Sequence, residues 1–262
     1  MKFTTGEEKS ISVLTVTRGR AQLLDRAIKS VLSQTYQGPT QHYILIDDCL
    51  DTLRFLEKNY SGNERVAWKF YSRLESDKSG PSLLARLRTS AIHSVTSNWF
   101  SFLDDDNEFY PEHLEKLYDF AMENNCNAVH SYHEMLYRDG REYLEQRCPW
   151  ARINQKERYR ELVDMGVLTP GSNIFRDRLG IIIDTNVWLI KRSILSSVNI
   201  SDEFSIEDWD NNLAEDDKLM FMLQDMNIKV LTNEAVTVKY YLGGYSNVFD
   251  GSVEGTILWE KV

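Results

Sequence analysis

Apolar positions along this chain change their period in a repeating way. Ile11 to Val16 is a short β-rich run, and Leu24, Ala27, Ile28, Val31 and Leu32 follow at the three- and four-residue spacings of one helix face. That helix ends before Gly38 and Pro39, both of which break helices. A second apolar run, Tyr43 to Ile46, stops at Asp47 and Asp48, and Val66 to Tyr71 reads as a third strand. Leu83, Leu84, Leu87, Ala91 and Val95 give the next helix its inner face, and the buried run Trp99 to Leu103 halts at Asp104, Asp105 and Asp106. Pro111 opens a helix with Leu114, Leu117, Tyr118 and Ala121 inward, since proline is tolerated in a first turn. Glu134 to Asp177 has weak periodicity around a helix near Gln155 to Val163. Gly180 to Ile190 is strand-like, Glu215 to Leu223 helical, and Ile228 to Leu231 and Val236 to Tyr241 read as closing strands. The alternation predicts a single α/β domain with a mostly parallel central sheet flanked by helices. Ligands of such sheets bind beyond the carboxyl ends of the strands, where Asp47, Asp48 and Asp104 to Asp106 lie.

Composition narrows the function. The 262 residues carry a net charge of -10, which argues against broad adhesion to duplex nucleic acid or to anionic lipid. Cys49, Cys126 and Cys148 are scattered and odd in number, with no C-x-x-C pair, so neither a disulfide framework nor a zinc ribbon is suggested. Met1 to Ser10 lacks the apolar centre of a signal peptide, and no apolar stretch approaches the ~20 residues that span a bilayer. The expectation is a cytoplasmic protein, at most peripheral to a membrane.

Three consecutive aspartates after a buried strand repel one another, and a cation or phosphate chemistry among them explains the cluster. Capping of the next helix explains one or two of them equally well. Asp47 and Asp48 are either a ligand pair or a turn, and Glu215 to Asp217 either a catalytic group or the acidic first turn of a helix. Arg88 can hold a phosphate or be solvated. Among the tryptophans, Trp150 and Trp209 sit in polar surroundings and are the candidates for stacking on a sugar. His133 and Glu134 begin an H-E-x-x-H pattern that fails at Tyr137, and neither a P-loop, a dinucleotide-binding glycine motif nor a G-x-S-x-G elbow occurs.

The run S-F-L-D-D-D-N-E-F-Y-P-E-H-L resembles the D-x-D segment of family 2 glycosyltransferases, which have the GT-A fold. I-S-V-L-T-V-T-R-G-R with A-I-K-S-V-L-S-Q-T-Y is similar to that family's first strand and helix, I-L-I-D-D-C to its second strand, and A-E-D-D-K-L-M to its E-D motif. The matches run in order from Ile11 to about Tyr241. The resemblance implies a nucleotide-sugar-binding half, residues 1–107, and an acceptor half, residues 108–262. Thr15 and Arg18 then line the nucleoside pocket, Asp47 or Asp48 accepts a hydrogen bond from the base, and Arg88 falls at the family's arginine, with Thr89 in place of the usual Asn. Asp105 faces the ribose or sugar, and Asp106 binds Mn²⁺ or Mg²⁺, with Asp104 the alternative carboxylate. Asp216 is the implied general base of an inverting reaction, with Glu207 and Asp208 a second E-D pair. The family's late metal-binding histidine has no counterpart between Lys239 and Ser246.

The implied partners are a nucleotide diphosphate sugar, by family habit a UDP-sugar, and a saccharide, lipid-linked or other hydroxyl acceptor in polysaccharide assembly. Two other functions stay open at this level: a nucleotidyltransferase making a nucleotide sugar, and a catalytically silent nucleotide-sugar-binding module.

Overall fold

The computed structural model describes residues 7–77, 80–151, 154–196, 199–211 and 213–244. The consecutive apolar runs become strands, as expected where helices cover a parallel sheet. These are β1 (Ile11–Thr17), β2 (Thr40–Asp47), β3 (Val66–Tyr71) and β4 (Trp99–Phe102). They are joined by α1 (Ala21–Leu32), α2 (Leu50–Tyr60) and α3 (Pro81–Ser94). β1 pairs in parallel with β2 on one side and β4 on the other, and β2 pairs in parallel with β3. The chain thus runs outward from β1 to β3 and returns across β1 to lay down β4. That reversal of strand order leaves a crevice at the carboxyl ends of β1 and β4.

The inward residues of α1 serve two cores: Leu24 and Ile28 pack with Ile44, Ile46 and Leu56, while Ala27 and Val31 join the main cluster with Trp99 and Phe100. α3 starts at Pro81 behind Gly80, whose φ of +145° lies in a region that L side chains rarely adopt.

The second half completes one continuous sheet. It contains β5 (Glu108–Phe109), α4 (His113–Glu123), β6 (Ala128–Leu136), α5 (Gln155–Asp164), β7 (Ile174–Phe175) and β8 (Trp188–Lys191). α6 (Arg192–Leu195), α7 (Ile206–Asp210), α8 (Glu215–Asp225) and β9 (Val230–Tyr241) follow. The strand order is β3-β2-β1-β4-β8-β6-β9-β5, with β7 alongside β6. β8 joins the halves by antiparallel pairing to both β4 and β6, and β9 lies parallel to β6 with register shifts around Tyr132.

Two details depart from the periodicity. Gly180 to Ile190 is strand only at its end, because the Asp184 carboxylate accepts the Asn186 N–H and nucleates a 3-10 turn, Thr185–Val187, ahead of β8. The two closing runs form one strand, β9, interrupted locally at Glu234, whose φ is +57°. Among the described residues no helix is long and apolar enough to cross a membrane.

Candidate active site

A cleft of about 360 Å³, a size typical of small-molecule sites, opens at the crevice left by the strand reversal. The β1–α1 loop supplies Arg18 and Arg20, the end of β2 Asp47, the loop after β3 Arg73, α3 Arg88, and the loop after β4 Asp104 and Asp106. Four guanidinium groups therefore face the cleft of a molecule whose net charge is -10.

The three aspartates after β4 have three different environments. Asp104 lines the cleft; its N–H donates to Asn186 Oδ1 at 2.6 Å, and its Oδ2 accepts Asn186 Nδ2 at 2.9 Å. Asp105 is fully buried behind the wall, where its carboxylate accepts Thr17 Oγ1 at 2.6 Å and pairs with Arg20. Burial pushes its pKa up to about 7, the Arg20 charge pulling the other way. Asp105 therefore stands behind the cleft lining instead of forming part of it. Asp106 lines the cleft, its Oδ2 accepting Arg20 Nη1 at 2.7 Å. Gly244, just past β9, backs this carboxylate so closely that a Cβ there would stand 2.7 Å from Asp106 Oδ2. Among the described residues no three His, Cys, Asp or Glu side chains gather as a metal cage.

Arg88 ties this loop to the other acidic motif. Only 5% exposed, it donates from Nη2 to Asp104 Oδ1 at 2.7 Å and from Nη1 to Glu215 Oε1 at 2.9 Å. It also donates to Thr185 Oγ1. The first turn of α8 divides its work: Glu215 binds Arg88, and the Asp217 carboxylate accepts the Ala214 N–H at 2.8 Å and caps the helix. Asp216 lines the cleft between them, accepting only the Asp217 N–H at 3.0 Å among the hydrogen bonds described. Burial first, then the charges of Asp217 and Glu215, hold its pKa well above the ordinary aspartate value. The competing pair Glu207 and Asp208 does not line this cleft; Asp208 accepts the N–H and hydroxyl of Ser205 in α7.

On the opposite wall Asp47 is held by Arg73 in a two-pronged pair at 2.7 and 2.6 Å, and Arg18 Nη1 donates to the Asp47 carbonyl at 3.2 Å. Asp48 points elsewhere: it is exposed, takes a φ of +45°, and its N–H donates across to the Tyr71 carbonyl at the end of β3 at 2.8 Å. Of that pair only Asp47 faces the cleft. Thr15 does not face it either, because its hydroxyl lies inside the sheet, donating to the Leu103 carbonyl at 2.6 Å and meeting His42 Nε2 at 2.8 Å. The residue two further along β1, Thr17, occupies the wall instead.

The far wall comes from the second half of the chain: His133, Trp150, Phe175, Asp184 and Tyr240, of which only Trp150 and Phe175 lie in the segment with weak periodicity. Burial pushes the Asp184 pKa up to about 6, with His133 opposing and Asp104 adding to the rise. Sequence reasoning reaches Trp150 but not the others, nor Arg20, Arg73 and Asn186. Arg20 lies two residues beyond the predicted ligand Arg18, Arg73 is brought to Asp47 by the pairing of β2 with β3, and the remainder come together through the second half of the sheet. The Trp209 side chain lies outside those described.

The profile of glycosyl transferase family 2 matches residues 12–179. The chain is similar to TuaG of Bacillus subtilis, named for teichuronic acid biosynthesis, with 25% identity over 131 residues, 50% of this chain and 49% of that one. It is similar to the poly(ribitol-phosphate) beta-N-acetylglucosaminyltransferase TarP of Staphylococcus aureus, with 29% identity over 125 residues, 46% of this chain and 36% of that one. It thus spans half or less of these two relatives' length. Residues 1–349 of S. aureus TarS share its fold with a TM-score of 0.58 and 15% identity, over 88% of this chain and 60% of that one. The same protein solved with UDP-GlcNAc gives 0.56 and 14%, over 88% of this chain and 58% of that one.

Proposed function

The chain belongs to glycosyl transferase family 2, and from that premise we propose that it transfers a sugar from a UDP-sugar to an acceptor hydroxyl with inversion at the anomeric carbon. The observation that carries this reading is Arg88, which joins Asp104 to Glu215 and so sets two acidic motifs more than a hundred residues apart on one cleft. UDP and UDP-GlcNAc complexes of TarS support the nucleotide, and the names of TuaG and TarP support an acceptor in surface-glycan assembly.

The nucleoside lies against the wall of Arg18, Asp47 and Arg73, the diphosphate at the strand ends within reach of Arg20 and Arg88, and the sugar between the two acidic motifs. Asp216 accepts the acceptor's proton while that oxygen forms a bond to the anomeric carbon. The bond from that carbon to the diphosphate oxygen breaks, and UDP leaves with the electron pair. Guanidinium groups aimed at the diphosphate stabilise the charge that develops on it. A divalent cation of this kind is held by one or two carboxylates together with substrate phosphates. Asp106, on the cleft where the described residues gather no cluster of three ligating side chains, fits such a shared site and not a protein-only cage. Mn²⁺ or Mg²⁺ bound there would supply Lewis-acid stabilisation of the leaving diphosphate.

Asp216→Asn keeps the shape of the helix turn and removes the base. UDP release from a panel of UDP-sugars, with poly(ribitol-phosphate) and other surface glycans as acceptors, should fall by about 10²-fold or more. UDP affinity by calorimetry should stay unchanged. Undiminished transfer in the variant would overturn the assignment.

A further inference from the structure

His133 is a polar group of the cleft that the reaction above does not use. It sits in the middle of β6, only 1% exposed, on the far wall. Its Nδ1 meets Asp177 Oδ2 at 2.8 Å, and Asp177 is itself fixed by accepting the Asp184 N–H on its other oxygen at 2.8 Å. Its Nε2 has no hydrogen-bonding partner among the described residues. A buried ring nitrogen left in that state is costly unless something outside the chain completes it.

The surroundings identify what completes it. Phe175 stacks on the imidazole with centroids 4.8 Å apart and planes 13° from parallel, and Tyr240 lies at 5.2 Å. Trp150 stands edge-on at 6.2 Å and donates from Nε1 to the Tyr240 hydroxyl at 3.0 Å. Aromatic faces with one fixed polar group suit a ring that has apolar C–H faces and a hydroxyl rim, which is a saccharide. An anion is disfavoured there by the carboxylates of Asp177, which is buried, and Asp184, which lines the cleft. β9, which carries Tyr240, runs on to Gly244 against Asp106, so this pocket adjoins the place where the diphosphate ends.

We propose that His133, oriented by Asp177 and walled by Phe175, Tyr240 and Trp150, hydrogen-bonds the sugar of the UDP-sugar donor and determines which sugar is accepted. This rests on the donor reading above. His133 here is a binding residue, Asp177 the residue that positions it, and the acceptor approaches from the Asp216 side.

The test is calorimetric titration of wild type, His133→Phe and His133→Gln with UDP, UDP-glucose, UDP-galactose and UDP-GlcNAc, with melting temperatures measured in parallel. Phe keeps the aromatic stack without the polar atom, and Gln keeps a polar atom without the ring. In His133→Phe, UDP affinity should match wild type. The UDP-sugar that wild type prefers should bind about tenfold more weakly, the worth of one hydrogen bond. His133→Gln should recover part of that loss or change which sugar is preferred. Equal weakening of UDP and UDP-sugar, or no weakening of either, would overturn the inference while leaving the donor site intact. Wild type that binds no uridine nucleotide would overturn the donor reading and this one with it. If both variants melt too low to titrate, Asp177→Asn, which misorients the imidazole without removing it, must reproduce the selective loss of sugar affinity, and failure to do so would overturn the inference.

Discussion

Asp216 differs from its neighbours by having no strong partner, and that shapes its titration. Burial and the adjacent charges of Asp217 and Glu215 favour its protonated form, so its pKa stands above the ordinary aspartate value near 3.9. A base works only when deprotonated. kcat/KM should therefore climb tenfold per pH unit on its acid limb, with a midpoint displaced upward, and level off beyond it. Asp217→Asn removes the nearest negative charge while an amide oxygen still caps the Ala214 N–H, so the limb should move to lower pH. A limb that stays in place in the variant's pH–rate profile would separate the titration from Asp216. Arg20 plays the complementary part at the other motif, satisfying Asp105 and Asp106 at once. That a buried carboxyl with its pKa pushed up to about 7 sits beside a cleft-facing one explains why the aspartate triplet alone could not be resolved into roles.

At the scale of elements, β1 to β4 with α1 and α3 follow from the sequence because the strands are largely apolar runs and those helices keep one face, whereas α2, Leu50–Tyr60, is not read from it. Residues of β6 defeat the same reading. Its centre is His130, Ser131, Tyr132, His133 and Glu134, all but Tyr132 and Glu134 buried, so polar side chains occupy positions that periodicity assigns to apolar ones. Their partners, Asp177 and Thr237, arrive from distant segments. The site divides likewise: Asp47, Asp104, Asp106 and Asp216 sit at ends of elements legible in the chain and Arg88 on a helix whose face is legible, whereas Thr15 stops one pleat short of the cleft that Thr17 reaches and Asp48 turns out into solvent. His42 of β2 shows what a buried polar residue costs. Burial lowers its pKa to about 3, so only the unfolded state takes up a proton as pH falls below 6.5. Its contribution to stability is complete above pH 6.5 and drains away toward pH 3. Urea unfolding at pH 7 and pH 5 should show wild type losing about 2 kcal/mol more than His42→Leu on acidification. Equal losses would mean that the histidine is not neutral in the fold.

Across the whole molecule, excess negative charge and a cleft edged by Arg18, Arg20, Arg73 and Arg88 oppose each other. The local field at the strand ends draws an anion in, while the global charge repels it at longer range. Stopped-flow association of UDP should slow with salt despite the net charge, by roughly tenfold between about 0.05 and 0.5 M, because screening removes the short-range attraction. Acceleration by salt would mean that the global charge governs encounter. The continuous sheet also ties the two halves of the chain together through β8, which pairs with both β4 and β6. Gly244 gives the cleft an adjustment point. Because a methyl group there would stand 2.7 Å from the Asp106 carboxylate, position 244 acts as a set screw on that carboxylate, turned from the segment after β9 and not from the loop that bears it. If the cleft takes the proposed sugar, an engineer wishing to retune it has its coarse control at the residues that line it, and its fine control at a residue whose whole contribution is the side chain it lacks.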